Sequence, residues 1–208
     1  MNEIRKKRGF DFLSFFYDFS SRLFFGGYLF KSQVHFLPQL KKCDSVLIFG
    51  GGTGKILIEL LKKDIGSHYT YVDISPTMIS KTKKRIEKFS TVGNVNFIEG
   101  SYKNIPSDKK FDLIITPYVL DCFSEKELTT AMNTLDSRLN KGGEWLFTDF
   151  NVPQNSPMKT VAGMITRTLY FFFNMICGLG VTKLPDFEKE FFRLKYICLL
   201  YTSDAADE

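Results

Sequence analysis

From Cys43 to Phe150 the chain alternates between two patterns. Short apolar runs closed by Gly, Ser, Asp or Pro are followed by stretches in which apolar residues return at helical spacing. The runs Ser45–Phe49, Tyr69–Ile74, Val95–Glu99, Phe111–Thr116 and Glu144–Phe150 predict five strands. Their near-continuous apolar character suits strands covered on both faces. Lys55–Lys63 predicts a helix directly after the first strand. Ser75-Pro76 supplies an N-cap and a first-turn proline for a helix running to about Phe89. Ser124 and Glu127 have capping-box spacing and open a helix ending near Asn140, before Gly142-Gly143. Strands alternating with helices predict an α/β fold. Its parallel sheet would carry helices on both faces and a ligand beyond the carboxyl ends of its strands.

Outside this block the pattern is helical. Phe10–Phe36 predicts two helices broken at Gly26-Gly27. Met158–Val181 is apolar but interrupted by Lys159, Arg167 and Asn174, and its uncharged stretch Thr168–Val181 is shorter than the ~20 residues a membrane span requires. A helix covering one side of a cleft is the preferred reading, ahead of an interfacial helix. Residues 1–42 are thus expected to form a helical, substrate-covering segment and residues 151–197 a helical extension or lid.

Composition sets limits. A chain of 208 residues, 44% hydrophobic and 25% charged, has the make-up of one globular core with additions. Its four cysteines form no C-x-x-C pair, and with two histidines they supply no zinc spacing, so no metal is expected. No apolar leader precedes a small-residue cleavage site, which points to a cytoplasmic protein. The net charge of +5 includes small basic clusters at Arg5–Arg8 and Lys81–Arg85. Neither is interleaved with base-stacking aromatics, so each reads as solvated surface and no nucleic-acid partner is expected. The 22 phenylalanines, dense in Phe10–Phe30 and Phe171–Phe173, suggest lipophilic surface and a peripheral membrane contact.

The chemistry centres on Gly50-Gly51-Gly52-Thr53-Gly54, between the first strand and its helix. A glycine turn lets a ligand approach the backbone, and the helix start offers free N–H groups. Phe49 and Ile56 stand where a phosphate-binding P-loop needs Gly and Ser or Thr, and Lys55 stands where a dinucleotide fingerprint needs its third glycine. The pattern that remains is G-x-G-x-G.

In the string Val46–Gly54 that pattern resembles motif I of the class I S-adenosylmethionine-dependent methyltransferases. Asp73, closing the second strand, is similar to the acid that holds the ribose hydroxyls in that family; a carboxylate can accept from both members of a vicinal diol. Ile74–Met78, Phe97–Ser101, Phe111–Tyr118 and Asn140–Gly143 extend the likeness over residues 43–150. The resemblance implies S-adenosylmethionine as cofactor, held by Gly50, Gly51, Gly52, Thr53, Gly54, Asp73, Ile74, Met78, Ser101, Tyr102 and Tyr118. Two positions depart from the family pattern: Ile48 and Ser101 stand where relatives often carry acids.

The implied activity is methyl transfer to a small, lipophilic acceptor. The alternative is an inactive, methyltransferase-like binding or membrane-surface module. Candidate bases are Asp18, His35, Asp121 and Asp149, with Asp149 best placed by topology, and Tyr17 and Tyr118 are candidates to line the methyl channel. The string Cys198–Glu208 resembles translated sequencing-adapter read-through. Truncation is therefore expected, with the family's C-terminal antiparallel hairpin missing and an open sheet edge beside the fifth strand. The acceptor atom and the oligomeric state are not legible.

Overall fold

A computed structural model describes residues 7–9, 11, 27–87, 94–150, 181 and 184–197. Five strands, β1 (Cys43–Phe49), β2 (Gly66–Asp73), β3 (Asn94–Glu99), β4 (Phe111–Pro117) and β5 (Leu139–Thr148), form one sheet in the order β3-β2-β1-β4-β5. Every neighbouring pair is parallel. The helices are α1 (Tyr28–Val34), α2 (Lys55–Lys62), α3 (Pro76–Ile86), α4 (Glu125–Asp136) and α5 (Phe187–Arg193).

The central strand shows why the apolar runs are continuous. Val46, Leu47, Ile48 and Phe49 are all buried, and alternate residues feed opposite faces. Val46 and Ile48 join Ile56, Leu57 and Leu60 of α2 in one cluster, while Leu47 and Phe49 join Leu128, Ala131 and Met132 of α4 in the other. Ser75 caps α3 by accepting from the Met78 N–H, and Ser124 caps α4 by accepting from the Glu127 N–H, as the sequence predicts. Gly27, with φ 90°, is the N-cap of α1, and most of the helix expected ahead of it lies outside the described residues.

The last strand differs from expectation. The helix predicted to reach Asn140 ends at Asp136, and β5 already begins at Leu139, so Gly142-Gly143 lies inside the strand. Pairing steps from Phe111↔Leu139 to Leu113↔Glu144, a bulge that Gly142 accommodates with φ 80°. Asp112 anchors this end, accepting from the Asn140 side-chain amide at 2.7 Å and from the Ser45 main-chain N–H and hydroxyl at 3.0 and 2.9 Å. These bonds, led by that from Asn140, hold its carboxyl below the usual carboxylate range.

Among the described residues no strand pairs with the outer edge of β5. Its side chains are packed instead: Trp145 and Phe147 meet Phe191 at ring distances of 5.2 and 5.1 Å, so the described part of the C-terminal region braces β5 and α4. Most of Phe10–Phe30, nearly all of Met158–Val181 and all of Cys198–Glu208 lie outside the described residues.

The chain places β2 and β3 on one side of β1, then crosses back to lay β4 on the other. That reversal of strand order opens a crevice beyond the carboxyl ends of β1 and β4, where open α/β sheets bind ligands.

Candidate cofactor and acceptor site

The glycine turn leaves β1 at this crevice. Gly50 extends the ladder by donating to the Val72 carbonyl at 2.8 Å, with φ 71°. A Cβ there would stand 2.3 Å from a Val119 methyl, and one at Gly51 would stand 2.5 Å from the Tyr71 ring. Small residues are therefore demanded by the turn's own packing as well as by any ligand. The Tyr71 hydroxyl donates to the Gly52 carbonyl at 2.8 Å, and the Thr82 hydroxyl lies 3.2 Å from the same oxygen. Arg85 donates from one guanidinium nitrogen to both the carbonyl and the hydroxyl of Thr53, each at 2.8 Å. Side chains of β2 and α3 thus hold the turn in one shape.

Asp73 faces this turn from the end of β2. Its Oδ2 accepts from the Gly52 N–H at 3.0 Å and its Oδ1 from the Ser75 N–H at 2.9 Å. Burial pushes the carboxyl up to about 6 against the lowering effect of main-chain bonds from Ser75, Gly52 and Ile74, and the nearby Asp11 adds to the rise. A carboxylate offers about four accepting positions, more than these main-chain donors use, so room remains for a further donor. A vicinal diol fits that demand, and an adenosyl group carries one. Ile74 beside it is half-buried, and Met78 is buried in α3. Past β3, Ser101 starts a short 3-10 turn by donating its N–H to the Asn104 side chain at 2.9 Å. The Tyr102 ring is buried edge-on to Phe123 at 5.8 Å, within the core cluster behind the sheet.

The ends of β4 and β5 bring a second group together. Tyr118 has φ 52°, a left-handed conformation that is an outlier for a bulky side chain. Its N–H donates to the Thr148 carbonyl at 2.7 Å, its ring packs on Phe150 at 5.0 Å, and its hydroxyl shares a 2.7 Å hydrogen bond with that of Ser32 on α1. Asp149 accepts from the main-chain N–H groups of Asp121 at 3.1 Å and Phe150 at 2.9 Å. It thereby caps the short turn Leu120–Cys122 that follows β4. Burial, then the neighbouring Asp121, pushes the Asp149 carboxyl well above the ordinary range, and burial pushes Asp121 up to about 6. Tyr118 is likewise raised by burial.

Of the candidate bases, Asp121 and Asp149 meet here. His35 sits at the end of α1 with its ring edge-on to Phe36 at 5.0 Å. Tyr17 and Asp18 lie outside the described residues. Among the described residues no group of three or more His, Cys, Asp or Glu could hold a metal.

Sequence reasoning missed Tyr71, Thr82 and Arg85. Arg85 was read within a solvated basic face, yet it is half-buried and bonded to Thr53. The signal lay in α3, where positions 78, 82 and 85 fall on one helical face toward the turn. Asp11 was missed too: it accepts from the Ser75 hydroxyl at 2.5 Å and the Thr77 N–H at 3.3 Å, a long-range contact with no local signature.

Comparison with known proteins shows what this region is similar to. A family profile described as a methyltransferase domain matches residues 46–143. The chain is 29% identical over 119 residues to the ubiquinone/menaquinone biosynthesis C-methyltransferase of Shewanella sediminis, covering 56% of this chain and 46% of that protein. It is 32% identical over 115 residues to malonyl-acyl-carrier-protein O-methyltransferase 1 of Ilyobacter polytropus, covering 55% and 41%. The chain therefore spans less than half the length of these two relatives. In fold it is similar to the YcgJ protein of Bacillus subtilis, with a TM-score of 0.60 at 17% identity over 76% of this chain and 63% of that one. Residues 46–143 are accordingly similar to a methyltransferase domain, carried on a five-stranded parallel sheet of Rossmann-like order.

Proposed function

We propose that this chain transfers a methyl group from S-adenosylmethionine to a small, lipophilic acceptor. The observation that carries the reading is the pairing of a pinned glycine turn with Asp73, whose carboxylate offers more accepting positions than its main-chain donors use. In this reading Asp73 holds the ribose hydroxyls, the turn from Gly50 to Gly54 lines the path toward the sulfur, and Ile74 and Met78 provide the apolar wall. Ser101 and Tyr102 border the adenine end, with the Tyr102 ring acting from the core behind the turn.

When bound, the cofactor supplies an activated methyl group, so the protein's contribution is mainly alignment, an effect that can reach roughly 7 to 11 kcal/mol. Tyr118 and Ser32 carry hydroxyls at the acceptor end. Asp149 fixes the loop beneath them and, with a carboxyl raised well above its ordinary range by burial, can hold an acceptor's proton there. The lipophilic class is supported by the phenylalanine-rich flanks in the sequence and by relatives named for quinone and acyl-carrier chemistry.

The test is a methyl-transfer panel of menadiol, a simple phenol and a medium-chain fatty acid, set against hydrophilic amines and alcohols. Transfer confined to the apolar members is the expected result, and transfer confined to the hydrophilic ones contradicts it.

A further inference from the structure

The N-terminal residues Lys7 and Asp11 reach the site from a part of the chain that none of the motifs includes. Lys7–Gly9 and Asp11 have helical backbone, and positions four apart on a helix share a face. From that face Lys7 forms an ion pair with Glu99, the last residue of β3, and Asp11 bonds Ser75 and Thr77, just past the end of β2. Glu99 stands opposite Asp73 in the register of these two strands. The two anchors therefore fall at the end of β3 and just past the end of β2, both beside the acid assigned to the ribose, and Gly9 between Lys7 and Asp11 is buried.

The bonding at Asp11 is specific. Ser75 uses its hydroxyl oxygen to cap the Met78 N–H and its proton to bind Asp11, while Asp11 takes the Thr77 N–H as well. A carboxylate from outside α3 thus satisfies a free donor at the positive end of that helix, where negative charge is favoured.

We propose that Lys7–Gly9 and Asp11 belong to a strap that retains the cofactor, latched by Lys7 to β3 and by Asp11 to the start of α3, so that adenosyl release requires the latches to open. This rests on the methyltransferase reading above. Lys7 and Asp11 are positioning residues: they act through Glu99, Ser75 and Thr77 on the crevice at Asp73. A strap of this kind slows escape more than entry. A segment that plugged an empty crevice would instead slow entry.

The experiment measures association and dissociation rates of S-adenosylhomocysteine on the full chain by stopped flow, for wild type, Lys7→Met, Lys7→Arg and Asp11→Asn, with amide exchange at Thr77 as a second readout. Expected are dissociation rates raised about tenfold in Lys7→Met and Asp11→Asn, association changed less than about twofold, and near-wild-type behaviour in Lys7→Arg. Faster exchange at Thr77 is expected in ligand-free Asp11→Asn. Unchanged dissociation in both variants overturns the strap alone, as does faster association with unchanged dissociation. A wild type that fails to bind S-adenosylhomocysteine overturns the methyltransferase reading and the strap with it.

Discussion

The main-chain N–H of Asp121 donates to Oδ2 of Asp149 at 3.1 Å, which holds two interior acids against each other at the ends of β4 and β5. Both carboxyls are raised by burial, and Asp149 is raised further by its neighbour. A carboxyl raised in the folded state binds more protons there than in the unfolded chain, where it titrates near 3.9. For Asp121, pushed up to about 6, stability must then fall as pH climbs from about 4 through about 6. Asp121→Asn keeps an acceptor for the Cys122 thiol and removes the charge. Urea unfolding should find it more stable than wild type at pH 8, by on the order of 1 kcal/mol, with no gain at pH 4. A variant less stable than wild type at both pH values would refute this assignment.

Gly51 and Tyr71 test the packing of the turn. A Cβ at Gly51 meets two ring carbons and the hydroxyl oxygen of Tyr71 at 2.5 to 2.7 Å, and Tyr71 is fully buried. Gly51→Ala should cost about 1 to 3 kcal/mol of unfolding free energy through this overlap. Trimming the ring in Gly51→Ala/Tyr71→Leu should make the double variant more stable than the sum of the single effects predicts. Additive losses would show that the overlap is relieved in some other way.

Arg85 offers a test that leaves the crevice surface intact. Its guanidinium reaches Thr53 from α3, so Arg85→Met removes two hydrogen bonds to the turn while keeping most of the side chain's length. Affinity for S-adenosylhomocysteine should fall about three- to tenfold, with a smaller loss in Arg85→Lys, which retains a donor. Titration calorimetry showing equal affinity in Arg85→Met and wild type would remove Arg85 from the site's support.

Much of this architecture was legible because local chemistry wrote it. The continuous apolar run Val46–Phe49 announces a strand covered on both sides, and Ser75-Pro76 and Ser124–Glu127 announce helix starts through caps that the structure contains. Where pairing overrode local signals, the sequence misled. Gly142-Gly143 reads as a break, yet pairing with β4 carries β5 through it as a bulge. Gly50 to Gly54 and Asp73 could be read as a set through the resemblance alone. Tyr71, Thr82, Arg85 and Asp11 could not, because their hydrogen bonds span 19 to 66 positions and depend on the finished fold. The tail Cys198–Glu208 and positions 151–180 of the expected 151–197 extension lie outside the described residues.

The pH dependence of ligand binding bears on Asp73 itself. Its carboxyl, pushed up to about 6 by burial, accepts from a diol in full strength when ionised. Affinity for S-adenosylhomocysteine should therefore decline below about pH 6, approaching tenfold per unit, and the decline should vanish in Asp73→Asn. A wild-type profile flat from pH 5 to 8 would speak against a titrating acid at the ribose.

The most direct measurement is calorimetric titration of the wild-type chain and Asp73→Ala with S-adenosylhomocysteine at pH 7.5. The account predicts one-site binding by wild type and a loss of at least about tenfold on removing the carboxylate. Absence of binding by wild type, or equal affinity in the two proteins, would contradict it.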